Sequence, residues 1–71
     1  MRPYTFHEVK RKLETAGFVE LSQKGSHVKF ALHDVNGTRT AIVPRHREIQ
    51  VGTLRSILRQ AGISVEEFEN L

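Results

Sequence analysis

The chain has 71 residues and contains neither cysteine nor tryptophan. The lack of cysteine excludes disulfides, thiolate nucleophiles and cysteine zinc sites, and it suits a reducing cytoplasm. No apolar run approaches the ~20 residues of a membrane span. The opening Met1-Arg2-Pro3-Tyr4 has no apolar signal region. Aromatic residues make up 7% of the chain, so few rings are available for stacking on bases. There is no internal repeat, linker or low-complexity segment. Domains of ~60 residues bury only about 60% of the surface that their unfolded chains expose. Residues 1–71 are therefore expected to form a single domain without a deep substrate cavity. An enzyme of this size would work on a groove or a sheet surface.

What is abundant is positive charge. The formal net charge is +3. Glu66, Glu67 and Glu69 lie together at the end; without them, 11 lysines and arginines face five acidic residues. The body is basic and the tail acidic. A basic body points to a polyanion such as nucleic acid, although ordinary surface lysines would give the same count.

Thr5-x-x-Glu8 is a capping box and predicts a helix beginning there. Phe6, Val9, Leu13 and Ala16 form its apolar stripe, with Lys10, Arg11, Lys12 and Glu14 on the remaining circumference. Gly17 is the expected stop. Residues 18–22 read as a first strand and 23–26 as a turn. From His27 to His33 the pattern alternates: Val28, Phe30 and Leu32 point one way, His27, Lys29 and His33 the other. Asn36-Gly37 signals a hairpin, and residues 38–43 form the returning strand, limited by Pro44. Residues 45–51 are a polar connection containing Ile49. Gly52-Thr53 precede a second helix with Leu54, Ile57, Leu58 and Ala61 on one stripe, ending at Gly62. Ser64-x-x-Glu67 is a second capping box, predicting a helical turn over 65–70 anchored by Val65 and Phe68. The fold class is α+β. The order α-β-β-β-α predicts a three-stranded antiparallel sheet with two helices on one face, the arrangement of double-stranded-RNA-binding domains.

The tetrad Lys24-Gly25-Ser26-His27 is the candidate site. A glycine turn, a hydroxyl and an imidazole beside a cation suit a phosphodiester. Gly25 lets the backbone approach a phosphate, or simply serves the turn. Ser26 could donate to a phosphate oxygen, orient His27 or bond its own backbone. No carboxylate–histidine relay marks it as a nucleophile.

Ala16-Gly17-Phe18, Lys24-Gly25-Ser26-His27, Val43-Pro44-x-His46, Gly52-Thr53-Leu54-Arg55-x-Ile57-Leu58, Ala61-Gly62 and Glu66-Glu67-Phe68 occur in that order. The series resembles HicA toxins, the YcfA-like group, over nearly the whole chain. The resemblance implies a compact fold like that of double-stranded-RNA-binding domains. It implies an mRNA interferase in the cytoplasm, a small ribonuclease that arrests translation. It also implies a HicB-type antitoxin as partner and His27 as the functional histidine. Many such proteins carry an aromatic residue or a histidine at the next position. Here it is Val28, which fits the strand alternation.

RNA carries its own nucleophile, the 2′-hydroxyl. Cleavage needs a base for that proton, an acid for the leaving 5′-oxygen and positive charge at the phosphate, but no metal. Imidazole suits proton transfer because its ordinary pKa is ~6.5, and one such group gives typically 10²–10⁴-fold. His27 is the candidate catalytic group, with Ser26, His46 and Lys29 as candidate support. Lys24, Gly25, Lys29, Arg45, Arg47, Arg55 and Arg59 are the candidate RNA contacts; a solvated face is the bland alternative. If Asn36 and Gly37 are the central hairpin residues, Phe30 opposes Val43 and His27 opposes His46. His33 lies six residues from His27, roughly 20 Å along the strand at ~3.3 Å per residue, so it cannot share the same proton-transfer site. His7 reads as surface. Only Tyr4 is a candidate for base stacking. No three converging ligands for zinc are evident, and no cofactor is implied. The expected activity is a metal-independent endoribonuclease acting on mRNA. A non-catalytic double-stranded-RNA-binding module, or a domain whose basic surface serves only an acidic antitoxin, would share these features.

Overall fold

The computed structural model describes all 71 residues. The first helix, α1, spans Phe6–Thr15. Its capping box closes in both directions: the Thr5 hydroxyl accepts from the Glu8 amide, and the Glu8 carboxylate accepts from the Thr5 amide. Three antiparallel strands follow, β1 (Val19–Lys24), β2 (His27–Asp34) and β3 (Gly37–Pro44), in the sheet order β1-β2-β3. Two helices complete the chain, α2 (Val51–Ala61) and the short α3 (Val65–Glu69). The predicted α-β-β-β-α order and the open antiparallel sheet are both present, compatible with the comparison to double-stranded-RNA-binding domains.

One face of the sheet is buried. Val28, Phe30, Ala41 and Val43 pack against Phe6, Val9 and Leu13 of α1 and Leu54, Ile57, Leu58 and Ala61 of α2. Burying one such large apolar side chain stabilises by about 1.5–3 kcal/mol. Val28 is fully buried, so the position after His27 serves packing. Leu32 is only partly buried, at the end of this layer. The other sheet face is open. His27, Lys29, His33 and Ile42 are exposed on it, while Ala31 is small enough to be covered by its neighbours.

The β2–β3 register differs from the sequence expectation by two residues. Asp34 pairs with Gly37, Phe30 with Ala41, Val28 with Val43, and His27 with Pro44. The turn therefore centres on Val35 and Asn36. Asn36 keeps a negative φ, and Gly37 alone takes a positive one, 116°. An Asp34 carboxylate oxygen accepts from the Asn36 amide at 2.8 Å and holds the turn. A Val35-Asn36 turn closed by a glycine of positive φ replaces the Asn-Gly turn, and the β2–β3 ladder runs from it without a register break. His46 consequently lies beyond the ladder, not opposite His27.

Two boundaries also move. β1 continues to Lys24, and α2 begins at Val51, so Gly52 and Thr53 are helical. A register break at Leu21 interrupts the β1 ladder.

Lys12, placed by periodicity on the solvent side of α1, is buried at 6% exposure. Its ammonium donates to the main-chain oxygens of Phe68 and Leu71 at 3.1 and 3.0 Å. It thus caps the C-terminal end of α3, where orphan carbonyls and the helix dipole favour a cation. Tyr4 is also buried, edge-on to Phe68 with ring centroids 5.1 Å apart, and is not free for bases. The tail glutamates form no ion pair with Arg55 or Arg59; the tail is docked through Lys12 instead.

Candidate nucleic-acid interface

The β1–β2 connection is a two-residue turn, Gly25-Ser26, with Lys24 and His27 as the closing pair. Gly25 has φ +60°, as required at the first central position of a type II′ turn. A Cβ added there would meet nothing within 4 Å. The glycine is needed for conformation, and the space above it is open.

His27 is exposed on the open face of the sheet. Lys24 sits directly across from it on β1 and Pro44 on β3. Opposed residues have Cβ atoms about 4.5–5.5 Å apart, so the Lys24 side chain leaves the sheet next to that of His27. Lys29 is two residues further along the same face, opposite Ile42 and Ser22. No ion pair engages Lys24 or Lys29. The Ser26 hydroxyl is exposed and does not bond its own backbone. Only the Ser26 carbonyl is used, accepting from the Arg45 amide.

That bond attaches the segment after β3 to the glycine turn. A side-chain link runs parallel to it. Arg45 donates to the Gln23 amide oxygen at 3.2 Å, and the Gln23 amide nitrogen donates to the Gly25 carbonyl at 2.9 Å. Gln23 therefore joins the turn to Arg45. Its sequence neighbours mark it only as a turn residue. The Arg45 guanidinium also lies over the Phe6 ring, 4.9 Å from its centroid.

A second link fixes the same loop to the chain's start. Tyr4 and Ile49 exchange two main-chain hydrogen bonds, at 3.2 and 2.7 Å. Between these attachments lies a cavity of about 360 Å³ lined by Thr5, Phe6, His7, Arg45, His46 and Arg47. His7, which reads as an ordinary surface residue, faces it. The structure thus gathers Lys24, Gly25, Ser26, His27 and Arg45 around one turn, with His46 and Arg47 in the adjoining cavity. Arg55 and Arg59 are exposed on α2 and line neither feature. The His33 ring is engaged separately, with Nδ1 2.7 Å from the Thr38 hydroxyl.

Three carboxylates lie around this region: Glu8 pairs with Arg2, Glu20 pairs with Lys10 and feels the charge of Arg45, and Glu48 keeps its charge in the loop beside Arg47. Arg2 and the Thr5 amide hold the Glu8 carboxyl at a pKa of about 2. Glu48 accepts from Gln50 at 3.0 Å. Lys24, Lys29, Arg45 and Arg47 have no ion-pair partner, so cations predominate around the turn.

A family model described as "HicA toxin of bacterial toxin-antitoxin" matches residues 6–63, most of the chain. No curated protein matches it at a significant level. The matched span includes the glycine turn, His27 and the whole cationic loop.

Proposed function

The chain belongs to the HicA toxins of bacterial toxin–antitoxin systems, and from that premise we propose that it is an mRNA interferase with His27 as its catalytic residue. The observation that carries this reading is the placement of His27. It is exposed, next to an open glycine turn, paired across the strand with Lys24, and unburdened by any carboxylate.

In the proposed reaction an RNA phosphate lies over the Gly25-Ser26 turn. The 2′-hydroxyl loses its proton and attacks the adjacent phosphorus. The bond to the 5′-oxygen breaks, and that oxygen takes up a proton. The products are a 2′,3′-cyclic phosphate and a 5′-hydroxyl end. His27 performs one of the two proton transfers, and water at this exposed site serves the other. Lys24 and Lys29 stabilise the charge that builds on the phosphoryl oxygens, and the Ser26 hydroxyl donates to one of them. Arg45 and Arg47 hold the backbone. Arg55 and Arg59, on a different face, contribute only long-range attraction.

HicA toxins pair with antitoxins. The partner proposed here is a HicB-type protein that covers the open sheet face and the glycine turn in the bacterial cytoplasm.

The test is an oligoribonucleotide cut by the protein, compared with the same oligonucleotide carrying 2′-deoxyribose at the cleaved position. Cleavage of the first only, with cyclic-phosphate ends and equal binding of both, supports the reading. Equal cleavage of both would exclude the 2′-hydroxyl as nucleophile. Binding of structured RNA with no cleavage of either would favour a double-stranded-RNA-binding module.

A further inference from the structure

The cavity beside the glycine turn has no part in the chemistry at His27, yet its lining is specialised. Four of its six lining residues are His7, Arg45, His46 and Arg47, and no acidic residue is among them. They come from two separate elements, α1 and the segment after β3. Phe6 is the single apolar wall, and it is itself buried, so it offers no platform for a base. The His7 ring stands edge-on to Phe6, with centroids 5.6 Å apart, and Arg45 covers that ring from another side. Two of the polar side chains are therefore packed in place. The cavity is open to solvent, which suits a segment of a polymer rather than an enclosed small molecule.

We propose that this cavity is a second subsite, which binds a backbone phosphate of the RNA flanking the phosphate at His27. This identification of the anion rests on the ribonuclease reading above. The geometry supplies the continuity. His27 pairs with Pro44, and Arg45 follows it at once, its amide bonded to Ser26. Arg45 therefore stands between the two positions, with its main chain at the turn and its side chain in the cavity. An RNA strand that crosses the glycine turn and rounds the sheet end, from the open face of His27 to the helix face where Arg45 packs on Phe6, reaches the cavity between His7 and Arg47. Planar guanidinium groups bind phosphate through paired N–H donors, and each imidazole adds a further donor. Thr5 and Glu8 already cap the start of α1, so side chains rather than helix amides supply the grip.

The subsite has a kinetic signature that separates it from the catalytic centre. A dinucleotide has one phosphodiester and reaches only His27. An octanucleotide reaches both positions. His7→Gln should leave kcat/KM on the dinucleotide unchanged, and His7→Gln and Arg47→Gln should each raise KM on the octanucleotide by about tenfold, the loss of one charge-assisted hydrogen bond. Binding is measured in parallel with an all-2′-O-methyl octanucleotide, which cannot be cleaved. Arg47→Gln should weaken it and reduce the salt dependence of log K by about 0.7, the value for one phosphate contact on a single strand. The binding arm does not depend on cleavage. If it moves as expected while the wild-type protein cuts nothing, the subsite stands and the ribonuclease reading falls. Unchanged affinity and salt slope in both variants would overturn the proposal. So would an equal loss on dinucleotide and octanucleotide, which would place these residues at the cleaved phosphate. Loss of antitoxin binding with RNA binding intact would assign the cavity to a protein partner instead.

Discussion

Replacing Lys12 by methionine removes a charge from α1 that the sequence gives no reason to think is buried. Methionine keeps nearly the same length and the apolar stem, so packing against Tyr4 and Phe68 is largely retained. What disappears is the cap on the end of α3. The ammonium donates to the oxygens of Phe68 and Leu71 at 3.1 and 3.0 Å, with Glu69 at a marginal 3.5 Å. Hydrogen bonds to a charged group contribute about 1.5–3 kcal/mol each, and a buried carbonyl left without a partner costs about 1–3 kcal/mol. Relief of the lysine's own desolvation offsets part of this. The Leu71 end is also partly open to water, which replaces some of what is lost. A net loss of about 2 kcal/mol follows. For a domain of this size each kcal/mol lowers Tm by roughly 4–8 °C, so Lys12→Met should melt about 8–16 °C below the wild type. Calorimetry or circular dichroism measures it. Lys10→Met is the control. Lys10 pairs only with partly exposed Glu14 and Glu20, and such surface pairs contribute about 0–1 kcal/mol. Equal melting shifts for the two variants, or a Lys12→Met shift below about 2 °C, would refute the idea that this lysine holds α3 in place.

Three further outcomes follow from the same contacts. Arg2 and Thr5 lower the Glu8 pKa from 4.5 to about 2, so its stabilising contribution is complete above about pH 4.5 and is lost as pH falls toward 2; an acid titration of Tm should be flatter over that window in Glu8→Gln. Gly25→Ala puts a Cβ at φ +60° in open space, so the cost is conformational alone, about 1–2 kcal/mol, and RNA binding should suffer with it. Gln23→Ala cuts the side-chain link between Gly25 and Arg45, and kcat/KM on RNA should fall up to about tenfold while Tm changes by only a few degrees, the loss of neutral or singly charged hydrogen bonds at an exposed site.

What could be read from the sequence was local. Both capping boxes close as Thr5-x-x-Glu8 and Ser64-x-x-Glu67 predict, because every group involved lies within three residues. The buried face of β2 follows from alternation. The hairpin register does not. A two-residue slip preserves which face every side chain occupies, so matching apolar with apolar cannot detect it. The turn decides it, and there the Asn36 amide donates to the Asp34 carboxylate while Asn36 keeps a negative φ. The burial of Lys12 is equally hidden, because the carbonyls that draw it inward belong to a segment 56 residues away in the chain. The same holds for His7. It becomes part of a site only when the Tyr4–Ile49 bridge brings the segment after β3 against the start of α1. His27 was legible for the opposite reason: its turn, its strand position and the neighbouring lysine are contiguous in sequence.

Whether His27 is chemical rather than structural is decided by cleavage of a defined mRNA in EDTA by the wild-type protein and His27→Ala, compared at equal RNA occupancy. The imidazole is exposed and supports nothing in the core, so the variant should fold, melt and bind as the wild type does. Cleavage by the wild type that falls by at least the ~10²-fold typical of one acid–base group would bear the account out. Cleavage that survives in His27→Ala, or that EDTA abolishes in the wild type, would contradict it.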